Sequence, residues 1–227
     1  MPQAKPFFIT VEGGDGSGKS TLITNIRAEF AARGVPHLCT REPGGTPVAE
    51  EIRGILLKPG RTVVARAELL LYEAARAEHV DGVIRPALDR GVNVLCDRFT
   101  HSSIAYQGAA RGLPKQLVEM ANWVATGGFK VDSSGFKLGS GLGLDPDAVI
   151  WLRLSPAEAR RRSRGRGDEN RLDAEDSGFH ERVFAAFEEM SRSSGRFIVL
   201  DASQDEKTVF NQLLAHPLWR KMFGSGK

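Results

Sequence analysis

The chain has 227 residues, 41% of them hydrophobic and 26% charged, with a formal charge of +3 and a pI near 9.0. That length bounds it to a single domain or a small bipartite fold with a sizeable core, and the composition is ordinary for a soluble globular protein. The mild positive excess is not in itself a nucleic-acid footprint, no apolar run approaches the roughly 20 residues that span a membrane, and no secretory signal is evident. The expectation is a cytoplasmic protein without a nucleic-acid or membrane partner. Cys39 and Cys96 lie in apolar strand-like runs, fit no metal spacing and read as buried reduced thiols.

Strand and helix signals alternate along the chain. Residues 7–11 (FFITV) form a short apolar run, followed by a glycine loop. A helix then carries Leu22, Ile23, Ile26 and Phe30 on one stripe, with Gly34 as its stop. Residues 37–40 (HLCT) read as a second strand, and Thr46-Pro47 as the N-cap and first position of a helix through about Leu57. Residues 66–84 carry a long helical pattern, 92–96 a buried strand ending at Asp97, and Pro114 opens a helix to about Thr126. Residues 148–154 and 196–200 supply the remaining strands. Five short apolar strands separated by helices imply an α/β fold, a five-stranded parallel sheet with helices on both faces. Ligands then sit beyond the C-terminal ends of the strands. The Gly- and Ser-rich segment 127–147 reads as an inserted loop or hairpin, 224–227 as a disordered tail, and the whole chain 1–227 as a single domain.

Gly13-x4-Gly18-Lys19-Ser20 matches the phosphate-loop pattern in full, after a strand and opening a helix. Its glycines let successive backbone N–H groups face phosphate oxygens, and the helix N-terminus adds positive charge. The candidate ATP-binding residues are therefore Gly13, Gly14, Asp15, Gly16, Ser17, Gly18, Lys19, Ser20 and Thr21. Lys19 would reach the β/γ-phosphates, and the Ser20 hydroxyl would ligate Mg²⁺. An Asn-Lys-x-Asp element that reads guanine is absent, and Asp97 is followed by Arg98-Phe99 rather than by a water-activating Glu. A strand-end Asp followed by Arg suggests a second phosphate opposite the nucleotide, with Asp97 on the metal and Arg98 gripping an acceptor anion.

EGGDGSGKST, TREPGGT, LLLYEAAR, CDRF, SSIAYQGAARG and LRLSPAEARRRSRGRGDENRLD occur in this order. In these motifs the chain resembles the bacterial thymidylate kinases, from about residue 7 to 200, interrupted by 127–147. The resemblance implies a P-loop kinase fold, transfer of the γ-phosphoryl of ATP to dTMP with Mg²⁺, and a homodimer. It places Tyr72 and Arg76, four apart on one helical face, as a ring stacking on a pyrimidine and a donor to a base carbonyl. Ser103 falls against the thymine N3 edge, Tyr106 under the deoxyribose and Gln107 near the acceptor phosphate. Asp15 takes the 3′-OH, while Arg41 and Pro43 shape the loop beside the acceptor; Arg41 reads equally well as a brace of that loop. The phosphate loop has no arginine of its own, so residues 160–173 are implied as a basic lid, with Arg166 between Gly165 and Gly167 as its catalytic arginine and Arg171 as second choice. Lys19, Arg98, Arg166 and Asp15 form the candidate catalytic set, and Ser20 and Asp97 the candidate metal ligands. Arg153 departs from the family, which often has an Asp where the fourth strand ends, and so does the 127–147 insertion. Another nucleotide or deoxynucleoside kinase of the same fold, or a non-catalytic nucleotide-binding module, stands as the alternative.

Overall fold

The computed structural model describes residues 5–132, 135–138, 143–163 and 170–224. Five strands form its main sheet: β1 (Phe8–Glu12), β2 (His37–Arg41), β3 (Asn93–Asp97), β6 (Ala148–Arg153) and β7 (Phe197–Asp201). They are all parallel, in the order β2-β3-β1-β6-β7. Between β3 and β6, β4 (Phe129–Asp132) and β5 (Gly135–Leu138) pair antiparallel with each other as a separate sheet.

Side-chain alternation along the strands divides the core in two. Ile9, Val11, Leu95, Ile150 and Leu152 face α1 (Lys19–Ala32), α9 (Glu206–Ala215) and α10 (Pro217–Phe223), whose Ile26, Phe30, Leu213 and Trp219 complete that layer. Phe8, Val94 and Cys96 point to the other face, against Val80, Ile84 and Phe99. Val149 and Trp151 meet Val183 and Phe187 of α8 (Ser177–Ser193) on that same face. Glu12 shares the parity of Phe8 and Thr10 and is fully buried there.

The helices that carry the site begin with α2 (Pro47–Leu57), capped by Thr46 accepting from the Ala49 amide at 3.2 Å. The 66–84 pattern is longer in the structure than the sequence suggests. α3 (Ala65–His79) passes through a wide turn at Val80–Ile84 into α4 (Arg85–Asp89). Pro86 lacks an N–H, and its ring would meet the Gly82 carbonyl in an α-turn, so the chain widens there instead of stopping. After β3, α5 (Thr100–Ser103) runs into a second wide turn, Ile104–Ala110, which carries Tyr106 and Gln107. α6 (Lys115–Ala125) and α7 (Pro156–Ser163) complete the helices.

Candidate active site

The phosphate loop lies between β1 and α1, where Gly13, Gly16 and Gly18 all have positive φ. Gly16, at φ +79°, is also where a Cβ would come within 2.5 Å of the Ala159 carbonyl of α7, so the loop passes too close to that helix for a side chain. Lys19 curls back over the loop, its Nζ donating to the carbonyls of Gly13 at 3.1 Å and Gly14 at 3.2 Å. Ser17 Oγ is buried with no hydrogen-bond partner among the described residues. A cleft of about 620 Å³ beside the loop is lined by Gly18, Thr21 and Asn25, and on its far side by Arg162 and Gln204. Arg162 spans to the Ala202 carbonyl at 2.8 Å and the Ser203 carbonyl at 3.2 Å.

A second cleft lies beside Asp15. Pro43, Tyr72, Arg76, Arg98, Ser103, Tyr106 and Gln107 line it. Arg41 does not line it. Arg41 is exposed and holds Glu50 at 2.9 and 3.0 Å, while Glu50 also accepts from the Gly45 amide. The loop-bracing reading therefore replaces the acceptor-side one for Arg41. The cation that lines the cleft from that side is Arg53 of α2, anchored on the Pro43 carbonyl at 2.9 Å.

Arg98 joins the second cleft to the phosphate loop. Its Nη2 meets Asp15 Oδ1 at 3.0 Å, and its guanidinium lies 5.2 Å from the centre of the Tyr106 ring. Burial acts to raise the Asp15 carboxyl, but the charges of Lys19, 3.5 Å away, and Arg98 hold it well below the usual carboxylate range. Asp173 hydrogen-bonds the same carboxyl; burial and that bond push Asp173 up to about 7, so the pair shares its charge unequally. Burial raises both Tyr72 and Tyr106, the latter to about 12. Both rings are therefore neutral stacking surfaces at physiological pH.

The Arg76 and Ser103 side of the cleft rests on a buried polar network. Arg76 Nε donates to Glu42 Oε2 at 2.8 Å; its Nη1 donates to Glu73 at 2.5 Å, Asn122 at 2.7 Å and Ser103 Oγ at 2.9 Å. Its Nη2 takes no hydrogen bond among the described residues, and Arg76 lines the cleft. Ser103 Oγ gives its proton to Glu73 Oε1 at 2.8 Å and accepts from Arg76, which leaves one lone pair. Glu42 is fixed in turn by His79 Nδ1 at 3.1 Å, and His79 by Thr40 at 2.6 Å. A Cβ at Gly45, which has φ +90°, would stand 2.4 Å from the His79 ring.

Gln107 is less free than its sequence position implies, because its amide donates to Glu68 Oε1 at 2.8 Å. Glu68 is fully buried and also holds Arg111 at 3.1 Å and Arg171 at 2.6 Å. Arg171 further donates to the Leu56 carbonyl at 2.9 Å. It is a buried brace under Asn170 and Leu172, which line the cleft, and not a mobile arginine. Arg166, Gly165 and Gly167 lie outside the described residues, as does most of the 224–227 tail. Arg153 points to α8, pairing with Glu188 and lying 5.8 Å from the Phe184 ring centre, so it faces neither cleft.

At the end of β3, Asp97 Oδ1 is buried without a hydrogen-bond partner among the described residues, which fits a cation ligand. Glu68, Arg53 and Asn122 stand in none of the sequence motifs, and Glu12, Glu42 and Glu73 stand in motifs that do not announce their partners. Glu12 meets Ser102, Glu42 meets Arg76, Glu68 meets Arg111 and Asn122 meets Arg76 only because the fold brings them together.

A parallel 2-3-1-6-7 sheet, a phosphate loop between β1 and α1, and an arginine joining that loop to a second cleft define a P-loop kinase. The family model described as thymidylate kinase matches residues 11–213. The chain is 44% identical to the thymidylate kinase of Bdellovibrio bacteriovorus over 97% of its own length and 99% of the relative's. It is 38% identical to that of an Exiguobacterium species, over 96% of each chain, and 40% identical to that of Deinococcus radiodurans, over 92% and 94%. The chain belongs to the thymidylate kinase family.

Proposed function

We propose that this chain transfers the γ-phosphoryl of ATP to dTMP, giving dTDP and ADP, with ATP on the phosphate loop and dTMP in the cleft beyond Asp15. The observation that carries this arrangement is Arg98, which contacts the phosphate loop through Asp15 and lines the second cleft. The pattern around Arg76 and Ser103 suits thymine. Arg76 Nη2 is a donor for O4, and the remaining Ser103 lone pair is an acceptor for N3–H. Tyr72 supplies the stacking ring, and Tyr106 packs under the sugar. The carboxylate of Asp15 accepts from the 3′-OH. The donor base occupies the cleft closed by Arg162.

The acceptor is already an anion, so no strong general base is needed. The difficulty is bringing two polyanions together, and the chain meets it with placed positive charge. Lys19 swings from the Gly13 and Gly14 carbonyls to the transferring phosphate, Ser17 Oγ donates to a phosphate oxygen, Arg98 and Arg53 hold the acceptor phosphate, and Arg166 arrives from the 160–173 segment. Mg²⁺, when bound, would supply neutralisation of the phosphate charge. Asp97 and Ser20 would hold it; few protein ligands suffice for this ion, and no cluster of three or more His, Cys, Asp or Glu suited to a metal exists among the described residues.

Leu70 on α3 and Leu117, Met120 and Val124 on α6 are exposed on two helices that pack together. We assign this apolar surface to the contact of a homodimer. The reading places the chain in the cytoplasm with ATP and dTMP as its small-molecule partners; no described helix is long and apolar enough to cross a membrane.

Comparing dTDP formation by the unaltered chain and Arg98→Ala tests the arrangement. The variant should lose at least about a hundredfold in turnover while binding ATP normally, as for other phosphate-clamping arginines. Lost ATP binding with normal dTMP binding would move Arg98 to the donor side, and no dTDP from the unaltered chain would end the functional reading.

A further inference from the structure

We propose that Glu12 is a positioning residue for Arg98: its carboxylate clamps the turn after β3 so that the guanidinium faces the phosphate loop. This rests on the acceptor role given to Arg98 above.

Arg98 has φ +71°, the one non-glycine with a positive φ among the described residues. Such a backbone is strained by on the order of 1–3 kcal/mol and persists only where its surroundings hold it. The holding contacts are identifiable. Arg98 N donates to the Val11 carbonyl at 3.0 Å, and Cys96 Sγ donates to the Arg98 carbonyl at 3.1 Å. Glu12 makes the remaining two. Its Oε1 accepts from the Phe99 amide at 2.9 Å, and its Oε2 from Ser102 Oγ at 2.6 Å. Ser102 Oγ in turn accepts from Arg98 Nη1 at 3.4 Å. One carboxylate therefore fixes both the peptide that follows Arg98 and the hydroxyl beside its guanidinium.

Glu12 forms no ion pair of its own among the described residues, yet it is fully buried at the end of β1. A buried carboxyl without strong compensation is destabilising. Burial pushes it up to about 7, against the Ser102 hydrogen bond and the Arg98 charge. Packing alone gives no reason for a carboxyl there, since an amide of the same shape fills the same space. What the carboxylate adds is a second acceptor oxygen and a negative charge facing Arg98.

The test is a double-mutant comparison in the full chain, reading kcat, KM for dTMP, the ATP Kd and the melting temperature. Glu12→Gln keeps the volume and one acceptor. Hydrogen bonds to charged groups are worth roughly 1.5–3 kcal/mol, or about 10–100-fold in rate. A loss of that size in kcat is expected, with the ATP Kd unchanged. In an Arg98→Ala background, Glu12→Gln should change kcat by less than about twofold, because the residue it positions is gone. Ser102→Ala should show a smaller loss with the same masking, and carries the test if Glu12→Gln does not fold. Equal losses in both backgrounds, a kcat like that of the unaltered chain, or an ATP affinity that falls with kcat would overturn the proposal. A chain that turns over dTMP but shows such additivity overturns only the Glu12 assignment. Failure of the unaltered chain to make dTDP overturns the functional reading instead.

Discussion

Replacing Glu42 with alanine isolates what holds Arg76, the arginine proposed to read the base. Glu42 is 5% exposed, ion-pairs at 2.8 Å with Arg76, which is 2% exposed, and lies within hydrogen-bond distance of His79 Nδ1 at 3.1 Å. Breaking a buried pair by removing one partner destabilises by about 3–5 kcal/mol, because the other charge stays buried. Glu73 remains on Arg76 at 2.5 Å, so the low end, about 3 kcal/mol, is expected. For a chain of this size each kcal/mol moves the melting temperature by about 2–4 °C, giving a fall of roughly 6–12 °C. Arg76 should also lose its fixed direction toward the cleft, raising KM for dTMP by about tenfold or more, while ATP binding is unchanged. Thermal melting with and without dTMP, followed by steady-state kinetics, measures both effects. A melting temperature within about 2 °C of the unaltered chain together with an unchanged KM would refute the assignment of Arg76 to this network.

Tyr72→Ala should weaken dTMP far more than Tyr72→Phe, since a neutral ring suffices for stacking; equal losses in dTMP titrations would point to the hydroxyl. Excising residues 130–143 with a short glycine linker should leave dTMP turnover within about tenfold, because surface segments tolerate length changes and, among the described residues, β4 and β5 pair only with each other; a folded but inactive deletion would make the segment functional. Arg166→Ala should lower kcat by roughly 10²–10⁴ with little change in either KM, as a residue acting in the transition state does, and lysine there should rescue only in part; steady-state kinetics of both variants decide it.

The phosphate loop and the five strands were legible because each is written in consecutive residues. Thr46-Pro47 likewise announced its helix, and the four-residue spacing of Tyr72 and Arg76 placed them on one face. The supports were not legible. Glu42 finds Arg76 and His79 across 34 and 37 positions, and Glu68 gathers Gln107, Arg111 and Arg171 from three segments. Neither an acid in the short loop after β2 nor one in a helix gives a local sign of such partners. Arg41 shows the converse difficulty. Its place after β2 suits an acceptor role or a loop brace equally, and only the position of Glu50 decides between them. The wide turn at 104–110 was hidden for a third reason: nothing in IAYQGAA breaks a helix outright, yet the turn is what brings Tyr106 and Gln107 to the cleft.

ADP release from ATP-Mg²⁺, measured side by side with dTMP, dUMP, dCMP and thymidine, tests the central claim most directly. dTMP should lead, with dUMP behind by only the factor that one methyl allows, about 10–200-fold. dCMP should be poor because it opposes an acceptor to the Ser103 lone pair and a donor to Arg76, and thymidine poor because it offers Arg98 no anion. Turnover of dCMP or thymidine equal to that of dTMP, or ADP release that ignores the acceptor, would contradict the account.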